Sequence, residues 1–341
     1  MPAYFGLDIG ASSIKLVQAN LMGLKSYNLT AVGLVGNPAG SIDFADKLVQ
    51  EKIKPAIKQL LTEAKIKDKR VVVSVAENKV YSRILSLPVM SEAELTSAIR
   101  WEAEQFVPIP VEEVELDFSV IEKPSGMGAD KKMLVYLVAA PKKYLQAMVE
   151  LLTGVGLEPI AVESEMVAIT RALTFGETES VSLLVHLGAM STVLAIVDQA
   201  NLTFSYVVPS GGVALSRALS QSLGLALPQA EEYKRTYGLQ DNQLEGKVKT
   251  GLRIVLDTMV AEMRKAMEYH MAKKKTLVNR IVLSGGGAYL PELPSYLTNL
   301  FGNVEVVVAD PFALAKPARG IIVPKERAVY GVAVGLAQRV F

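Results

Sequence analysis

Apolar and polar positions along this chain follow two rhythms, and the rhythms come in the same order twice. Runs with period two, or with unbroken apolar character, predict strands near residues 3–9, 13–20 and 26–35. A helical period follows over 42–65, turning Phe44, Leu48, Ile53, Ile57, Leu60, Leu61 and Ala64 inward, and then comes a buried strand at 71–75. The second half repeats this order with strands near 181–187, 191–198 and 202–208, then helices, then a buried strand at 281–283. A three-strand meander, a helix and a parallel strand make one α/β unit, so the pattern predicts two related α/β halves.

Two segments interrupt the repeat. Between the halves, a strand-like run over 80–87 stops at Pro88. Ser91, with Glu94 three residues on, then forms a capping box opening a helix to about Phe106, and Pro108 and Pro110 bar its continuation. Strands at 114–121 and 133–139 flank a polar loop at 124–131, and a helix is expected from 141 to about 153. This β-α-β-β-α stretch is long enough to be an inserted subdomain. A second insertion, all helical, covers about 212–275. Its last helix carries Val255, Met259, Met263, Met267 and Met271 at every fourth position, with Leu252, Leu256 and Val260 beside them. The stripe reads as core, with an adaptable methionine surface as the alternative. Lys273, Lys274 and Lys275 at its end complement the helix dipole.

Composition narrows the class. The length of 341 residues exceeds one ordinary core, and half the residues are hydrophobic. A net charge of +1 leaves no electrostatic footprint for nucleic acid or an anionic membrane. Without cysteine there are no disulfides, no thiolate catalysis and no cysteine metal sites. The start shows no basic segment followed by a long apolar run, and no apolar run approaches the ~20 residues of a membrane helix. A cytoplasmic protein with no direct membrane insertion is the expectation.

The chemistry lies in the repeat itself. Phe5-Gly6-Leu7-Asp8-Ile9-Gly10-Ala11-Ser12-Ser13-Ile14-Lys15-Leu16-Val17 returns, weakened, as Leu183-Leu184-Val185-His186-Leu187-Gly188-Ala189-Met190-Ser191-Thr192-Val193-Leu194-Ala195. Each copy reads as a strand, a tight turn of small residues and a second strand. Successive backbone N–H groups in such a turn can form a nest for phosphate; Gly10 permits close approach, and Ser12 and Ser13 add hydroxyls. Asp8 at the strand end makes sense beside phosphate only with an intervening cation such as Mg²⁺, and Lys15 can reach phosphate as a point charge. An ordinary hairpin with a solvated lysine is the plain alternative for either copy, and the duplication weakens it. Further along, Gly285, Gly286, Gly287 and Ala288 follow the buried strand, leaving bare backbone on which a ring and ribose can lie, with Pro291 opening a helix. Glu231 and Lys234 share a helix face and could bond ribose hydroxyls, an exposed ion pair being the ordinary reading.

These hairpins, a segment Ile160-Ala161-Val162-Glu163-Ser164-Glu165-Met166-Val167-Ala168 read as an interdomain helix, and the glycine turn resemble the actin, Hsp70 and sugar-kinase superfamily. The first insertion narrows the match. Val80-Tyr81-Ser82-Arg83-Ile84-Leu85-Ser86-Leu87-Pro88-Val89-Met90-Ser91-Glu92-Ala93-Glu94-Leu95, then Ala98-Ile99-Arg100-Trp101-Glu102-Ala103-Glu104-Gln105-Phe106-Val107-Pro108-Ile109-Pro110, resembles the PilM family of type IV pilus assembly proteins over nearly the whole chain, its closing helix at 330–339 included.

The resemblance implies an α/β, actin-like (FtsA-like) ATPase fold of two duplicated halves, each with an inserted subdomain. Its expected divisions are 1–79 with 162–180, an insertion at 80–161 that docks a partner, 181–211 with 276–341, and a helical insertion at 212–275. It implies ATP and Mg²⁺ in a central cleft, with Asp8 holding the metal through water. Gly10, Ala11, Ser12, Ser13 and Lys15 would hold the phosphates, with Gly188 and Ala189 opposite. Gly212, Glu231, Lys234, Gly285, Gly286 and Gly287 would hold the rest of the nucleotide. Glu165 matches an acidic position that orients metal-bound water in the superfamily. The implied partner is the cytoplasmic N-terminal peptide of the bitopic inner-membrane protein PilN, with PilO and motor components beyond it. The chain would then be peripheral to the inner membrane, and a homo-oligomer is compatible with this. Arg100, Trp101 and Phe106 are the candidate docking residues.

One departure bears on activity. His186 stands where superfamily ATPases commonly have aspartate, and neutral imidazole is a poor ligand for Mg²⁺. Glu165 and His186 remain the catalytic candidates, and nucleotide retention with slow or absent hydrolysis is the expected behaviour. Two other readings stand beside the scaffold. An FtsA-like cell-division protein usually adds a membrane-targeting amphipathic helix after a linker, for which the residues up to Phe341 show no counterpart. A small-molecule kinase needs a catalytic base at a second substrate pocket.

Overall fold

Three sheets carry the strands of the computed structural model, which describes residues 4–23, 26–124, 131–175 and 180–341. Strands β1 (Phe5–Ile9), β2 (Ser13–Leu21) and β3 (Tyr27–Gly36) form the first antiparallel meander. Helix α1 (Lys47–Glu63) then returns the chain to β4 (Arg70–Val75), parallel to β1. The Asp46 carboxylate caps α1 by accepting from the Leu48 amide at 2.9 Å. Leu48, expected on the inner face, is 66 % exposed in that first turn. Gln50 is buried instead, its amide donating to the Phe44 carbonyl at 2.8 Å.

The first insertion is a small sheet of β5 (Tyr81–Pro88), β7 (Lys132–Pro141) and β6 (Val114–Glu122) in that spatial order, with α2 (Glu92–Phe106) laid on it through Leu95, Ile99 and Ala103. The capping box forms as read: the Ser91 hydroxyl accepts from the Glu94 amide, and the Glu94 carboxylate accepts from the Ser91 amide at 2.8 Å. Residues 125–130 of the expected polar loop lie outside the described residues. Helix α3 (Lys142–Thr153) buries Ala147, Met148, Leu151 and Leu152 in the core under α1, and β8 (Glu158–Ser164) pairs in parallel with β4. The expected 80–161 stretch thus divides between two cores, because the apolar face of α3 turns toward α1 and not toward α2. The segment around residue 160 is likewise strand; its β-branched run pairs with β4, and α4 (Glu165–Thr174) begins only after Ser164, whose hydroxyl accepts from the Val167 amide at 3.3 Å.

The second half has β9 (Val181–Leu187), β10 (Thr192–Asp198) and β11 (Asn201–Val208), then helices α5 (Gly212–Leu223), α6 (Leu227–Tyr237) and α7 (Lys247–Lys274). Next come β12 (Arg280–Ser284), α8 (Leu293–Phe301) and β13 (Glu305–Val308), giving a sheet of order β11-β10-β9-β12-β13. The short β14 (Ala315–Pro317) crosses back to flank β3 in the first sheet, and α9 (Gly331–Ala337) closes the chain. Met259 and Met263 of the methionine stripe are core, whereas Met271 is 41 % exposed.

Besides β14, further contacts among the described residues join the halves. Buried helix α9 crosses α4 so closely that a Cβ at Gly335 would lie 1.8 Å from the Ala168 carbonyl oxygen. Arg171 locks this crossing, donating to both oxygens of Glu163 (2.6 and 2.9 Å) and to the Gly335 carbonyl (2.7 Å). Elsewhere β5 and β6 of the insertion touch β11, with Ile84, Ile121 and Val138 packed on a core that second-half residues share with Tyr136, Met166 and Ile169. Lys274 reaches across to Glu122 at 2.7 Å, so this lysine bridges subdomains besides lying at a helix end.

Candidate functional site

The antiparallel register of β1 and β2 sets Asp8 opposite Lys15, and the buried carboxylate takes the ammonium at 2.9 Å. The turn between them closes by the Gly10 amide donating to Ser13 O at 3.1 Å. That amide is therefore committed to the turn, and what Gly10 contributes is bareness: a Cβ there would lie 3.2 Å from Lys15 Nζ. Asn37, which sequence reasoning missed, pins the turn from β3, donating from Nδ2 to Gly10 O (2.9 Å) and from its amide to Ser12 O (3.0 Å). Ser12 is exposed and Ser13 half-buried, so the small-residue edge stays open to a ligand.

The second hairpin copies the turn, Gly188 N donating to Ser191 O at 3.0 Å. Its register sets His186 opposite buried Val193, so no lysine stands where Lys15 does. The carbonyls of Gly188 and Ala189 accept from the amides of Gly212 and Val213, both at 2.9 Å. The hairpin thereby caps α5, and a Cβ at Gly211 would meet Gly188 O at 2.6 Å. Gly212, expected as a nucleotide contact, spends its amide on this cap. The His186 ring lies 3.2 Å by Nδ1 from Ser284 Oγ, its partner in the parallel register of β9 and β12. Desolvation pulls its pKa down to about 4, with the Asp8 charge pulling the other way and that of Lys15 adding to the fall. The imidazole is neutral at pH 7.

Two further carboxylates lie within electrostatic reach of the first hairpin. Glu165, first residue of α4, accepts from the Glu77 amide at 3.2 Å. Desolvation, then the charges of Asp8 and Glu77, push its pKa well above the usual carboxylate range. Glu77 is buried and accepts from the Met166 amide (3.0 Å) and the Ser82 hydroxyl (3.1 Å), with the Tyr136 hydroxyl at 3.5 Å. Its only signal in the sequence is a carboxylate two residues after a buried strand. Among the described residues no three acidic or histidine side chains are grouped to hold a metal directly. A hydrated cation held through water is what Asp8 suits.

The nucleoside candidates behave unevenly. Lys234 is buried, and its three protons go to Gly212 O (2.9 Å), Ser216 Oγ (2.9 Å) and Glu231 Oε2 (2.6 Å). Glu231 also accepts from Ser216 and, through Oε1, from Arg235 at 3.0 Å. The pair fastens α6 to α5; it is neither an exposed ion pair nor a set of unused donors. In the glycine turn, Gly285 has φ +81° and a Cβ there would lie 2.5 Å from Leu187 O, while one at Gly287 would lie 2.6 Å from Leu187 Cβ. Gly286 alone faces open space and is exposed, so bare backbone is offered at one position of the three.

The docking candidates also separate. Arg100 pairs with Glu112 at 2.8 Å, and Phe106 packs into the insertion core. Trp101 is 60 % exposed.

The depressed His186 pKa has a consequence for acid stability. A folded pKa below the unfolded value gives stability that is present above pH 6.5 and lost as pH falls through about 4. Between pH 7 and pH 4, His186→Gln should lose about 3 kcal/mol less stability than the parent chain, measured by urea unfolding at each pH. Equal losses would show that the ring is protonated without penalty.

Comparison with known proteins places this geometry. The family model of type IV pilus assembly protein PilM matches residues 6–341. A solved PilM-PilN type IV pilus biogenesis complex aligns with TM-score 0.85 at 28 % identity, over 98 % of this chain and 97 % of that one. MreB5 of Spiroplasma citri bound to AMPPNP aligns with TM-score 0.54 at 12 % identity, over 98 % and 95 %. The cell division protein FtsA of Streptococcus pneumoniae serotype 2 is 25 % identical over 360 residues, 92 % of this chain and 77 % of that protein. FtsA of Enterococcus hirae is 27 % identical over 362 residues, covering 92 % and 80 %. The fold is the actin-like, FtsA-related ATPase fold.

Proposed function

The chain belongs to the PilM family of type IV pilus assembly proteins, and from that premise we propose that it is an ATP-binding scaffold of the inner-membrane assembly platform. The observation that carries this reading is the lopsided cleft: an Asp8–Lys15 pair on one hairpin and a neutral His186 on the other. Lys15 with Ala11, Ser12 and Ser13 would hold the phosphates, Gly188 and Ala189 would face them, and Gly286 would meet the nucleoside. Asp8 would hold hydrated Mg²⁺, which supplies charge neutralisation when bound. The cradle fits such a group, because Gly10 leaves the Lys15 ammonium over the turn with nothing between. Glu231 and Lys234 serve by keeping α6 on α5 beside this cleft.

Hydrolysis is slow or absent on this reading. A ring titrating near pH 4 is a weak general base at neutral pH, and imidazole is a poor direct ligand for Mg²⁺. Glu165 stays a catalytic candidate through water, with its elevated pKa reducing its negative charge. Calorimetry with ATP and Mg²⁺ should show binding, while phosphate release stays far below the ~10 s⁻¹ of a typical enzyme. Turnover at that typical rate, or phosphoryl transfer to a metabolite, would overturn the scaffold reading in favour of a kinase or a working ATPase.

The partner on this proposal is the cytoplasmic N-terminal peptide of PilN, docked at the first insertion and leading to PilO and the motor components. The chain would be peripheral to the inner membrane through that peptide. The likeness to a PilM-PilN complex supports it, as does the exposure of Trp101. Deleting 80–161 is a poor test, since it removes α3 and part of β8 from the first core. Trp101→Ala is cleaner: peptide affinity should fall about tenfold with the melting temperature unchanged. Undiminished affinity in fluorescence titration would place the groove elsewhere. The FtsA relatives support a cell-division reading as the alternative, and the family match over residues 6–341 supports pilus assembly.

A further inference from the structure

Ser284 is fully buried beneath the cleft, and its hydroxyl lies between two groups: His186 Nδ1 at 3.2 Å and the Ala328 carbonyl oxygen at 3.1 Å. A carbonyl oxygen only accepts, so the arrangement without facing lone pairs puts the serine proton on it, beside the Gly285 amide that the same oxygen accepts at 2.9 Å. The serine oxygen is then left as an acceptor toward the ring, and His186 Nδ1 must carry the proton. The opposite nitrogen, Nε2, keeps its lone pair, and among the described residues no protein group hydrogen-bonds it. Strand register enforces the arrangement, since His186 and Ser284 are direct partners on β9 and β12. Gly285 makes room for the ring, a Cβ there lying 3.1 Å from His186 Cε1.

We infer that Ser284 is a positioning residue that locks His186 in the Nδ1–H tautomer, so that Nε2 accepts a hydrogen bond from water on the cation of a bound metal–nucleotide. This rests on the nucleotide reading of the same cleft. An Nε2 lone pair faces an unprotonated phosphate oxygen unfavourably, acceptor against acceptor, but suits the polarised O–H of a metal-bound water. The chemistry therefore selects the Mg²⁺ complex of a nucleoside triphosphate over the bare polyanion. A carboxylate at this place would hold the same water more strongly and add a charge beside Asp8 and Glu165.

The chain has two histidines, which makes the tautomer directly readable by ¹⁵N correlation spectroscopy of the labelled protein at pH 7.5, with His186→Phe assigning the signals. His186 should show protonated Nδ1 and unprotonated Nε2, and Ser284→Ala should move it toward the Nε2–H form. Ser284→Cys, which keeps the size and weakens the acceptor, should move it the same way if the alanine variant folds poorly. An Nε2-protonated ring in the parent, or a ratio unmoved by either variant, overturns the lock. In calorimetry with AMPPNP, the affinity gained on replacing EDTA by Mg²⁺ should shrink about tenfold in Ser284→Ala, with the EDTA affinity within twofold. An undiminished gain overturns the acceptor role while the nucleotide reading stands. No binding of AMPPNP to the parent under either condition overturns the nucleotide reading and the ligand with it, whatever the tautomer.

Discussion

Lys15→Ala combined with Gly10→Asp should abolish calorimetric binding of ATP with Mg²⁺, a loss of at least about a thousandfold. Two effects add. Removing the ammonium costs a charge-assisted hydrogen bond of about 1.5–3 kcal/mol and leaves Asp8 unneutralised in a buried place. The new carboxylate would grow from a carbon 3.2 Å from where the ammonium now sits, and a like charge ~5 Å from phosphate costs about 3 kcal/mol at an effective dielectric of 20. Gly10→Ala alone should do far less, since the atom it meets is the end of a flexible lysine or a turn carbonyl at 3.2 Å. Affinity within tenfold of the parent, in a double variant that melts normally, would mean the phosphates lie away from this hairpin.

Gly335→Val should be the most destabilising single substitution at the junction of the halves. A Cβ there would overlap the Ala168 carbonyl oxygen at 1.8 Å, and the obstacle is backbone of a neighbouring helix, which cannot rotate aside. Overpacking of this kind exceeds the usual 1–3 kcal/mol range, so a cost of about 4 kcal/mol or more is expected. At roughly 2–4 °C per kcal/mol, the melting midpoint falls by about 10 °C, or the variant stays insoluble. Gly36→Ala, where a Cβ meets nothing within 4 Å, is the control and should melt within about 2 °C of the parent. A Gly335→Val protein melting with that control would show that α4 and α9 can part without loss.

Hydrophobic period made the two hairpins, both meanders and the capped helix α2 legible, and the repeat even set Asp8 against His186 and Lys15 against Val193. Pairing across the chain was not legible. Strand β14 is three residues long and joins a sheet that begins at the other end of the chain. Helix α3 reads as amphipathic, but nothing local says that its face meets α1. The site shows the same division. Asp8, Lys15 and Gly286 could be named as candidates because turn chemistry is local. Asn37, Glu77 and Ser284 were missed because each acts on a residue brought near only by tertiary pairing. The burial of Lys234 was not legible for a related reason: spacing on one helix showed its partner Glu231, whereas its bonds to Gly212 and Ser216 come from α5.

The insertion grows out of the first half and leans on the second, resting its sheet on β11 and reaching α7 through Glu122 and Lys274. It acts as a strut across the mouth of the molecule. Wide opening would have to part β5 and β6 from β11 as well as break that ion pair. A protein braced in this way trades stroke for stiffness. A ligand in its cleft would tighten a frame that already stands, and a partner holding the strut would sense that tightening without being carried through a large swing.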